Sequence, residues 1–340
     1  MPDAYARAGV DVDANNRTAE WVRARLKRQQ SPQLLGGIGG FSGLWALNGY
    51  RNPVLAASTD SVGTKIKVAI ELKRYDGLGY DIVNHCVNDI LVSGAQPLFF
   101  LDYLAVHKND PDVVHALIGG VADACESCGI SLLGGETAEM PDVYRDGDFD
   151  LAGTVVGAVE REHLIKTTDV RAGDTLLGFP SHGLHTNGYT LARRLFTPDL
   201  WHHEAPDLGC TYGEALLWPH VNYLADVRQL RSVVPVHGLA HITGGGLTDN
   251  VPRMLGEHHI AVIDLARLSL PLLFRDLLRR GQLEDGEALR TFNLGIGMVA
   301  AVAHGDVSLA RATLPSLIEL GTVEETMGDE RIQYRGRLAR

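Results

Sequence analysis

Amide, carboxylate and imidazole side chains gather on one half of the segment Asp81–Pro97, which reads DIVNHCVNDILVSGAQP. At helical spacing the apolar residues share the other half, as in an amphipathic helix that begins at an Asp81 cap and stops near Gly94. The polar half has no Lys, Arg or Glu, the residues that solvate most helix surfaces, and consists of Asp81, Asn84, His85, Asn88 and Asp89. Such donors between very apolar flanks indicate a site for a hard cation and its ligand. A surface helix with a solvated face is the alternative.

A glycine-rich run is the second candidate for ligand binding. Gly36–Gly43 (GGIGGFSG) has five glycines in eight residues, which frees backbone N–H groups to approach an anion. It lacks the GK[ST] ending of a P-loop, and no strand pattern leads into it. The run therefore fits either a phosphate-binding loop or a flexible hinge.

Two loops at predicted strand ends carry acids. The strand Pro53–Ser58 leads into Thr59–Lys65 (TDSVGTK), where a carboxylate is followed by Gly, Thr and Lys, a set suited to metal and phosphate. The strand 130–133 leads into a predicted glycine turn with two acids, Gly134–Pro141 (GGETAEMP). An Asp N-cap with a surface Lys is the alternative for the first loop. Together with the glycine-rich run and the helix Asp81–Pro97, these two loops predict a nucleotide–magnesium site, because Mg²⁺ prefers a few carboxylates plus phosphate oxygens.

The second half of the chain carries two polar loops of its own. A polar stretch around Thr167–Asp174 predicts a domain boundary. The strand 175–180 leads into Ser181–Gly188 (SHGLHTNG), which fits a polar ligand-binding loop or an ordinary turn with a capping residue. A later strand leads into Thr243–Asn250 (TGGGLTDN), where three glycines before a predicted helix favour anion binding. Between these loops, an apolar stripe predicts a helix over 219–230.

Length, charge and cysteine content narrow the class of protein. A length of 340 residues predicts two domains, because single cores stop growing at about 250–300 residues. The net charge of −11 disfavours non-specific binding to nucleic acid or anionic membranes, and no stretch reaches the ~18 apolar residues of a membrane span. With four cysteines and no apolar run at the start, we expect a cytoplasmic protein without a disulfide framework. The C-x-x-C pair Cys125 and Cys128 lies in a helical pattern and is expected in the core.

With these segments assembled, nearly the whole chain resembles the phosphoribosylformylglycinamidine cyclo-ligases, or AIR synthetases, of purine biosynthesis. The D-x4-G-A-x-P signature associated with ATP binding in that family is matched by Asp89, Gly94, Ala95 and Pro97. The other matching stretches are YARAGVDVDANN (5–16), GGIGGFSGLW (36–45), STDSVGTK (58–65), VNHCVNDILVSGAQPLFFLDY (83–103), GGETAEMPDVY (134–144), GLHTNGYTL (183–191), HITGGGLTDNVPR (241–253) and NLGIGM (293–298). Many ordered motifs of this length are highly specific.

The resemblance implies a two-domain α/β fold. Residues 1–168 would form an ATP-binding and dimerisation domain, and residues 169–340 a second α/β domain. In the family's homodimer the N-terminal mixed sheets pair into a barrel. The implied reaction uses ATP and Mg²⁺ to close formylglycinamidine ribonucleotide into aminoimidazole ribonucleotide, with release of ADP and phosphate.

The resemblance also implies roles for individual residues. Asp60 and Asp89 are expected to bind Mg²⁺, with Glu136 as a weaker third ligand. Lys65 is expected to neutralise phosphate charge, and His185 to act as a proton donor or acceptor, so that Lys65, Asp89 and His185 form the expected catalytic set. The expected ATP or phosphate contacts are Gly39, Gly40, Ser42, Gly43, Thr59, Asp60, Thr64, Lys65, Asn88, Asp89 and Gly135. The expected substrate contacts are His185, Thr186, Asn187, Gly244 and Gly245.

The chain departs from the family where glycine is usual, at Ser42, Ser61 and Asp142. Because loss of glycine restricts the backbone, these positions bear on loop geometry more than on the reaction. Two alternatives remain: a sister ATP-dependent activity on the same fold, such as thiamine-monophosphate kinase, or a nucleotide-binding regulator without catalysis. A selenophosphate synthetase would carry a reactive Cys near the glycine-rich run, whereas the first cysteine here is Cys86.

Overall fold

The computed structural model describes residues 12–27, 31–35, 42–205 and 207–340. The chain divides into an N-terminal unit, Met1–Ile90 with Ala95–Arg161, and a C-terminal unit, Leu91–Gly94 with Glu162–Arg340. Each unit combines helices with a sheet of its own, so the predicted α/β class is confirmed. The division between residues 168 and 169 stays a prediction.

The N-terminal unit is built on a four-stranded mixed sheet. The strands of this unit are β1 (Leu34–Leu35), β2 (Leu44–Trp45), β3 (Pro53–Ser61), β4 (Gln96–Val106), β5 (Ser131–Glu139) and β6 (Phe149–Glu160). Its helices are α1 (Val12–Leu26), α2 (Ile66–Leu72), α3 (Asp76–Leu91) and α4 (Pro111–Ser127). β1 and β2 form a separate ribbon, and the main sheet has the order β3-β6-β4-β5. Only the pair β4–β5 is parallel in this sheet, and α4 provides its crossover.

Helix α4 follows directly from local sequence signals. The Asp110 side chain accepts a hydrogen bond from the Asp112 N–H at 3.0 Å, and Pro111 occupies the first turn. After the helix, Gly129 takes a positive φ of 68°. Cys125 and Cys128 are buried free thiols, which confirms that this C-x-x-C pair belongs to the core.

Helix α3 begins at Asp76, so the predicted cap at Asp81 is wrong and Asp81 lies inside the helix. Glycines in the first turns weaken the helical signal in the sequence. Gly79 is needed there for packing, because a Cβ atom would lie 2.1 Å from the backbone nitrogen of Val121 in α4. Four of the five polar residues are buried, so this half is not an ordinary solvated face: the exposed fractions are 0% for Asp81, 5% for Asn84, 3% for His85 and 0% for Asn88, while the side chain of Asp89 is 28% exposed.

The predicted glycine turn Gly134–Pro141 is also wrong, because β5 continues through Glu139. Residues 134–139 pair in register with residues 101–106 of β4. Gly135 serves close packing within this ladder: a Cβ atom would lie 2.1 Å from Oδ1 of Asp102. Strand β3 likewise continues beyond the predicted end at Ser58 to Ser61.

The two faces of the main sheet have different environments. Side chains alternate between faces along each strand, so Ser58 and Asp60 share one face while Leu55 and Thr59 share the other. The first face packs on α3: a Cβ atom at Gly153 would lie 3.1 Å from Ile82. The second face, called the open face below, exposes Leu55 (61%) and Tyr103 (41%).

The C-terminal unit contains a six-stranded sheet. Its strands are β7 (Thr175–Pro180), β8 (Val236–His241), β9 (His259–Asp264), β10 (Ile296–Val302), β11 (Ile318–Glu325) and β12 (Ile332–Arg335). Its helices are α5 (Tyr189–Leu195), α6 (Tyr212–Leu216), α7 (Leu224–Arg231), α8 (Gly246–Asn250), α9 (Leu272–Gly281), α10 (Asp285–Thr291) and α11 (Val307–Thr313). The strand order is β12-β9-β11-β7-β10-β8. Because β7 and β8 both run antiparallel to β10, their C-terminal ends point to the same side of the sheet. This side is called the shared edge of β7 and β8 below.

Helix α7 is shorter than the predicted helix over 219–230. It begins at Leu224, whose N–H donates to the Asn222 side chain at 2.8 Å. This local bond offers the backbone an alternative to the helix, so residues 219–223 remain irregular. Within the described residues, no helix combines the length and apolarity needed to cross a membrane.

Candidate functional site

Strand β3 and helix α3 bring the two predicted metal-binding carboxylates to one imidazole. Nε2 of His85 lies 2.9 Å from Oδ2 of Asp60 and 3.8 Å from Oδ2 of Asp89. Ser58, on the same face of β3 as Asp60, donates a 2.7 Å hydrogen bond to Oδ2 of Asp89. The sequence placed His85 on the polar half of this helix but gave it no role. Its i,i+4 spacing to Asp89 was the signal that could have found it.

The charges in this cluster stabilise one another. Burial raises the pKa of Asp60, but the hydrogen bond and charge of His85 and the Ser61 N–H outweigh burial, so the pKa lies below its ordinary value. Burial lowers the pKa of His85, but the hydrogen bond to Asp60 and the charge of Asp89 outweigh it, so the pKa lies above its ordinary value. A nearby opposite charge favours the ionised form of each group. Asp60 is therefore a carboxylate at neutral pH.

This donor set fits a magnesium ion. Mg²⁺ is usually held by one or two carboxylates together with waters and substrate phosphates. The side chains of Asp60 and Asp89 are 41% and 28% exposed, so an ion and a phosphate can reach them, while Ser58 and His85 hold their orientation. A bound Mg²⁺ would neutralise charge on the transferred phosphoryl group.

Two other predicted residues lie away from this cluster. Glu136 is on β5, at the opposite edge of the sheet from β3, and pairs with Tyr103 of the open face. Thr59 also lies on the open face, where its hydroxyl donates to the Gly153 carbonyl at 2.9 Å. Within one chain, this arrangement does not support Glu136 as a ligand of an ion held by Asp60 and Asp89, and that role stays a prediction.

Lys65 points into the interior. Its exposed fraction is 0%, and Nζ lies 2.8 Å from Oδ1 and 2.7 Å from Oδ2 of Asp81. Burial lowers the pKa of Lys65, and the charge of Asp81 opposes that effect. The structure therefore commits the ammonium group to an ion pair between the turn Gly63–Lys65 and α3. The predicted contact with phosphate stays a prediction, and the sequence gave Asp81 only a capping role.

The other predicted phosphate contacts differ in their exposure. Thr64 is exposed beside Lys65, whereas Asn88 is fully buried in α3. Ser42 is exposed, and its neighbour Gly43 packs so closely that a Cβ atom would lie 2.3 Å from Cγ of Leu133. Gly39 and Gly40 lie outside the described residues, so their predicted roles stay predictions.

Asp102 is a buried acid that the sequence analysis left without a role. It sits opposite Gly135 in the β4–β5 ladder and is 9% exposed. Burial raises its pKa to about 7, and the charge of Glu136 adds to this effect. A carboxyl group with this pKa exchanges a proton near neutral pH.

The predicted substrate residues assemble at the shared edge of β7 and β8 in the C-terminal unit. His185 is fully buried and adopts a positive φ of 63°. Its ring needs the space left by Gly297 of β10, where a Cβ atom would lie 2.6 Å from Cε1 of His185. The Asn187 side chain donates to the Thr186 hydroxyl at 3.3 Å. A Cβ atom at Gly244 would lie 3.4 Å from Oδ1 of Asn187.

The glycine turn after β8 is a shaped backbone element. Gly245 and Gly246 take positive φ values of 95° and 57°. The Asn250 side chain donates to the carbonyls of Gly244 at 3.1 Å and Gly246 at 2.9 Å, which fixes the turn. The structure thus brings the two predicted substrate loops together at one edge of the sheet.

Two further histidines border the predicted substrate loop around His185. His220 is 1% exposed, its ring stacks on His185 with 4.0 Å between centroids, and its Nε2 lies 3.0 Å from Nε2 of His241. Sequence reasoning placed His220 on a predicted helix and gave it no role. The sequence around His220 contains no local signal for this contact. The contact depends on the tertiary structure, which places the irregular segment 219–223 beside the ends of β7 and β8.

The positions where the family usually has glycine behave differently from one another. Asp142 takes a positive φ of 72°, a conformation that Asp tolerates better than most residues. Ser61 lies in the extended strand β3, where no glycine is required, and its N–H donates to Oδ1 of Asp60 at 2.6 Å. Neither substitution prevents the site geometry described above.

Comparisons with known proteins identify the family of the chain. The family model "AIR synthase related protein, N-terminal domain" matches residues 46–159, and the C-terminal domain model matches residues 171–332. Phosphoribosylformylglycinamidine cyclo-ligases from two strains of Desulfitobacterium hafniense are each 50% identical over 316 residues, covering 92% of this chain and 93% of theirs.

Solved structures show the same fold at low identity. A thiamine-monophosphate kinase from Stenotrophomonas maltophilia K279a has a TM-score of 0.68 at 19% identity, covering 94% of this chain and 96% of its own. The hydrogenase maturation protein HypE in complex with ATP has a TM-score of 0.68 at 16% identity, covering 98% of this chain and 97% of its own. With two matching domain models and half-identical relatives along almost its whole length, the chain belongs to the AIR synthase related protein family.

Proposed function

We propose that the chain catalyses the ATP-dependent ring closure of formylglycinamidine ribonucleotide to aminoimidazole ribonucleotide, a step of purine biosynthesis. The observation that carries this function is 50% identity over 92% of the chain with two curated phosphoribosylformylglycinamidine cyclo-ligases. The thiamine-monophosphate kinase likeness is far weaker, because 19% identity reflects a common fold alone. A purine biosynthesis enzyme of this kind would act in the cytoplasm.

The chemistry has two steps. The amide oxygen of the substrate is a poor leaving group, so ATP first transfers its γ-phosphoryl group to that oxygen and ADP is released. The amidine nitrogen then attacks the activated carbon, the imidazole ring closes and phosphate departs with the former amide oxygen. Phosphoryl transfer of this kind depends on positioning and charge neutralisation, because the protein has little covalent chemistry to perform.

Asp60 and Asp89 would hold the Mg²⁺ that accompanies ATP. Their carboxylates converge on His85, and the low pKa of Asp60 keeps it ionised and ready to bind a cation. Ser58 fixes Asp89 through its 2.7 Å hydrogen bond. These contacts support a preorganised metal site in the N-terminal unit.

The loop at His185 would contact the substrate. Asn187 lies beside the turn that Asn250 fixes, since a Cβ atom at Gly244 would lie 3.4 Å from Oδ1 of Asn187, and the Asn187 amide also donates to the Thr186 hydroxyl. A substrate phosphate or amide suits this combination of donors. His185 would hold or move a proton as the ring closes, since an imidazole nitrogen can either donate or accept a proton.

We also propose a homodimer formed through the open face of the N-terminal sheet. Leu55 and Tyr103 are large side chains exposed on that face. Large side chains exposed on a sheet face indicate an interaction surface, and a second copy presents a surface of the same width and strand spacing. Pairing of two such sheets is the arrangement that the family resemblance implies.

The test is ADP release by the purified protein with Mg-ATP, with and without formylglycinamidine ribonucleotide. Aminoimidazole ribonucleotide is measured in parallel by its colour reaction. We expect ADP release to depend on the substrate and to match the imidazole product. ADP release with thiamine monophosphate but not with this substrate would indicate the kinase activity instead, and ADP release uncoupled from ring closure would contradict the proposal.

A further inference from the structure

Three buried histidines meet at the shared edge of β7 and β8. His185 comes from the loop after β7, His220 from the irregular segment before α7, and His241 from the end of β8. Their exposed fractions are 0%, 1% and 6%. Imidazole rings are costly to bury unless their nitrogen atoms are hydrogen-bonded, so the contacts among these three rings carry information about their roles.

His220 contacts two different loops through its two ring nitrogens. Its Nε2 lies 3.0 Å from Nε2 of His241, and its Nδ1 lies 3.4 Å from the hydroxyl of Thr186. Two imidazole nitrogens at this separation form a hydrogen bond only when one carries a proton and the other a lone pair. The tautomers of His220 and His241 are therefore coupled, and the state of one fixes that of the other.

His220 also sets the position of His185. The two rings stack with 4.0 Å between centroids and 23° between planes. The next residue, Val221, donates its backbone N–H to Nε2 of His185 at 3.4 Å. His185 sits at a positive φ of 63°, a sparsely populated conformation that persists only where the surrounding structure holds it. Residues 220 and 221 supply part of that support.

We propose that His220 is a positioning residue for the substrate loop. It holds the ring of His185 by stacking, the hydroxyl of Thr186 through Nδ1, and His241 through Nε2. This inference rests on the proposed function, in which His185 and Thr186 contact the substrate. Its place in the reaction is indirect, because His220 acts through these neighbours.

The experiment compares His220→Leu, which removes both nitrogens, with His220→Gln, which keeps a side-chain amide near the position of Nε2. The exposed residue His258 of the same unit provides the matched control, His258→Gln. KM and kcat are measured separately for ATP and for formylglycinamidine ribonucleotide. We expect His220→Leu to lower kcat/KM for the ribonucleotide about 10–100-fold, because small misplacements of contact groups cost this much, while KM for ATP stays unchanged. His220→Gln should recover part of the loss.

A second readout does not depend on activity. Nitrogen-15 spectra of labelled imidazole rings distinguish protonated from unprotonated nitrogens, and His220→Gln identifies the His220 signals by their loss. We expect one protonated and one unprotonated Nε2 in the pair His220 and His241, and a shift in the His241 signals in the variant. If the His241 signals are the same in wild type and in His220→Gln, the proposal is overturned, even if the Leu variant fails to fold.

The kinetic outcomes separate this inference from the function beneath it. If the wild-type protein closes no ring, the proposed function is refuted. The contact between His220 and His241 is then tested by the nitrogen-15 spectra alone. Active wild-type protein with a folded His220→Leu variant of equal kcat/KM would refute the positioning role. Equal losses for ATP and ribonucleotide would also refute it, since they would indicate a general structural defect.

Discussion

Replacing Lys65 by Met leaves the Asp81 carboxylate in the interior without the ammonium group that lies 2.7 Å from its Oδ2. Both side chains are 0% exposed, so solvent does not screen the loss. Removal of one partner from a buried ion pair costs about 3–5 kcal/mol, because the remaining charge keeps its desolvation penalty. We expect Lys65→Met to destabilise the N-terminal unit by this amount.

The second half of the thermodynamic cycle separates the ion pair from packing. Asp81→Leu should cost a similar amount, since it leaves a buried ammonium group. The double variant Lys65→Met/Asp81→Leu replaces the pair by apolar side chains, and such replacements are neutral or stabilising by about 1–4 kcal/mol. The two single losses should therefore fail to add: together they come to about 6 kcal/mol or more, whereas the double variant should lose nothing, so the coupling energy should be about 6 kcal/mol or more.

Stability is measured by urea unfolding, followed by circular dichroism and by tryptophan fluorescence at one protein concentration. The concentration is held fixed because the stability of the proposed dimer would depend on it. The matched control is Lys67→Met, two positions after Lys65. It removes a partly exposed ion pair between Lys67 and Asp148. Pairs exposed to this degree contribute about 0–1 kcal/mol, so the control should change stability little.

Unchanged stability in Lys65→Met, together with a raised KM for ATP, would refute this reasoning. That outcome would mean that the ammonium group leaves Asp81 and contacts phosphate, as the sequence alone predicts. Additive losses in the double variant would refute the ion pair as the source of stability. The two residues would then contribute independently through packing.

Four further predictions follow from the contacts described above. Asp102→Asn should stabilise the protein above pH 7 and not near pH 4. Burial raises the pKa of this carboxyl group in the folded state from 3.8 to about 7, so the native protein keeps a proton that the unfolded chain releases. The free energy of unfolding of the wild type therefore falls by up to about 4 kcal/mol as the pH rises through that window, and the neutral Asn side chain avoids this loss. Equal stabilisation at both pH values in urea titrations would contradict this sign. Asp89→Asn should abolish substrate-dependent ADP release and leave the circular dichroism spectrum unchanged, because the amide still accepts from Ser58 but lacks the charge for Mg²⁺; wild-type turnover would remove Asp89 from the metal site. His185→Ala should reduce turnover far more than ATP binding measured by calorimetry, and equal losses would contradict its substrate role. Leu55→Arg should shift light-scattering mass from dimer to monomer, while Met327→Arg, at a more exposed position outside the N-terminal sheet, should not; a persisting Leu55→Arg dimer would exclude the open face as the interface.

Patterns in the sequence predicted the parts of the fold that depend on local signals. The helical spacing of Asp81–Pro97 correctly indicated a helix whose polar half is not an ordinary solvated face. The loops around His185 and Gly244 were correctly placed after the strands that precede them, whereas Asp60, which was predicted in a loop, lies in the last residues of β3. Each of these features is set by residues close together in the chain, so periodicity and turn chemistry are sufficient to find it.

Long-range pairing decided the features that the sequence did not predict. Glu136 was grouped with Asp60 because both are acids near glycines, but strand order and register place Glu136 on another edge and on the open face. A shift of one residue in register moves a side chain to the other face of a sheet, and no local pattern fixes that choice here. The contacts of His220 with Thr186 and His241 likewise depend on where an irregular segment crosses the end of the sheet.

Glycine shows most clearly why a residue type alone did not assign the site. Gly135 was predicted to hold phosphate, yet it lies in a regular strand and makes room for the Asp102 carboxyl group. Gly245 was predicted to contact substrate, and it does adopt a backbone conformation, φ of 95°, that other residues rarely take. Glycine thus serves close packing in one predicted loop and backbone freedom in the other. Since a Cβ atom at Gly135 would collide with Asp102, Gly135→Ala should disturb the buried acid and its pKa rather than ATP binding directly.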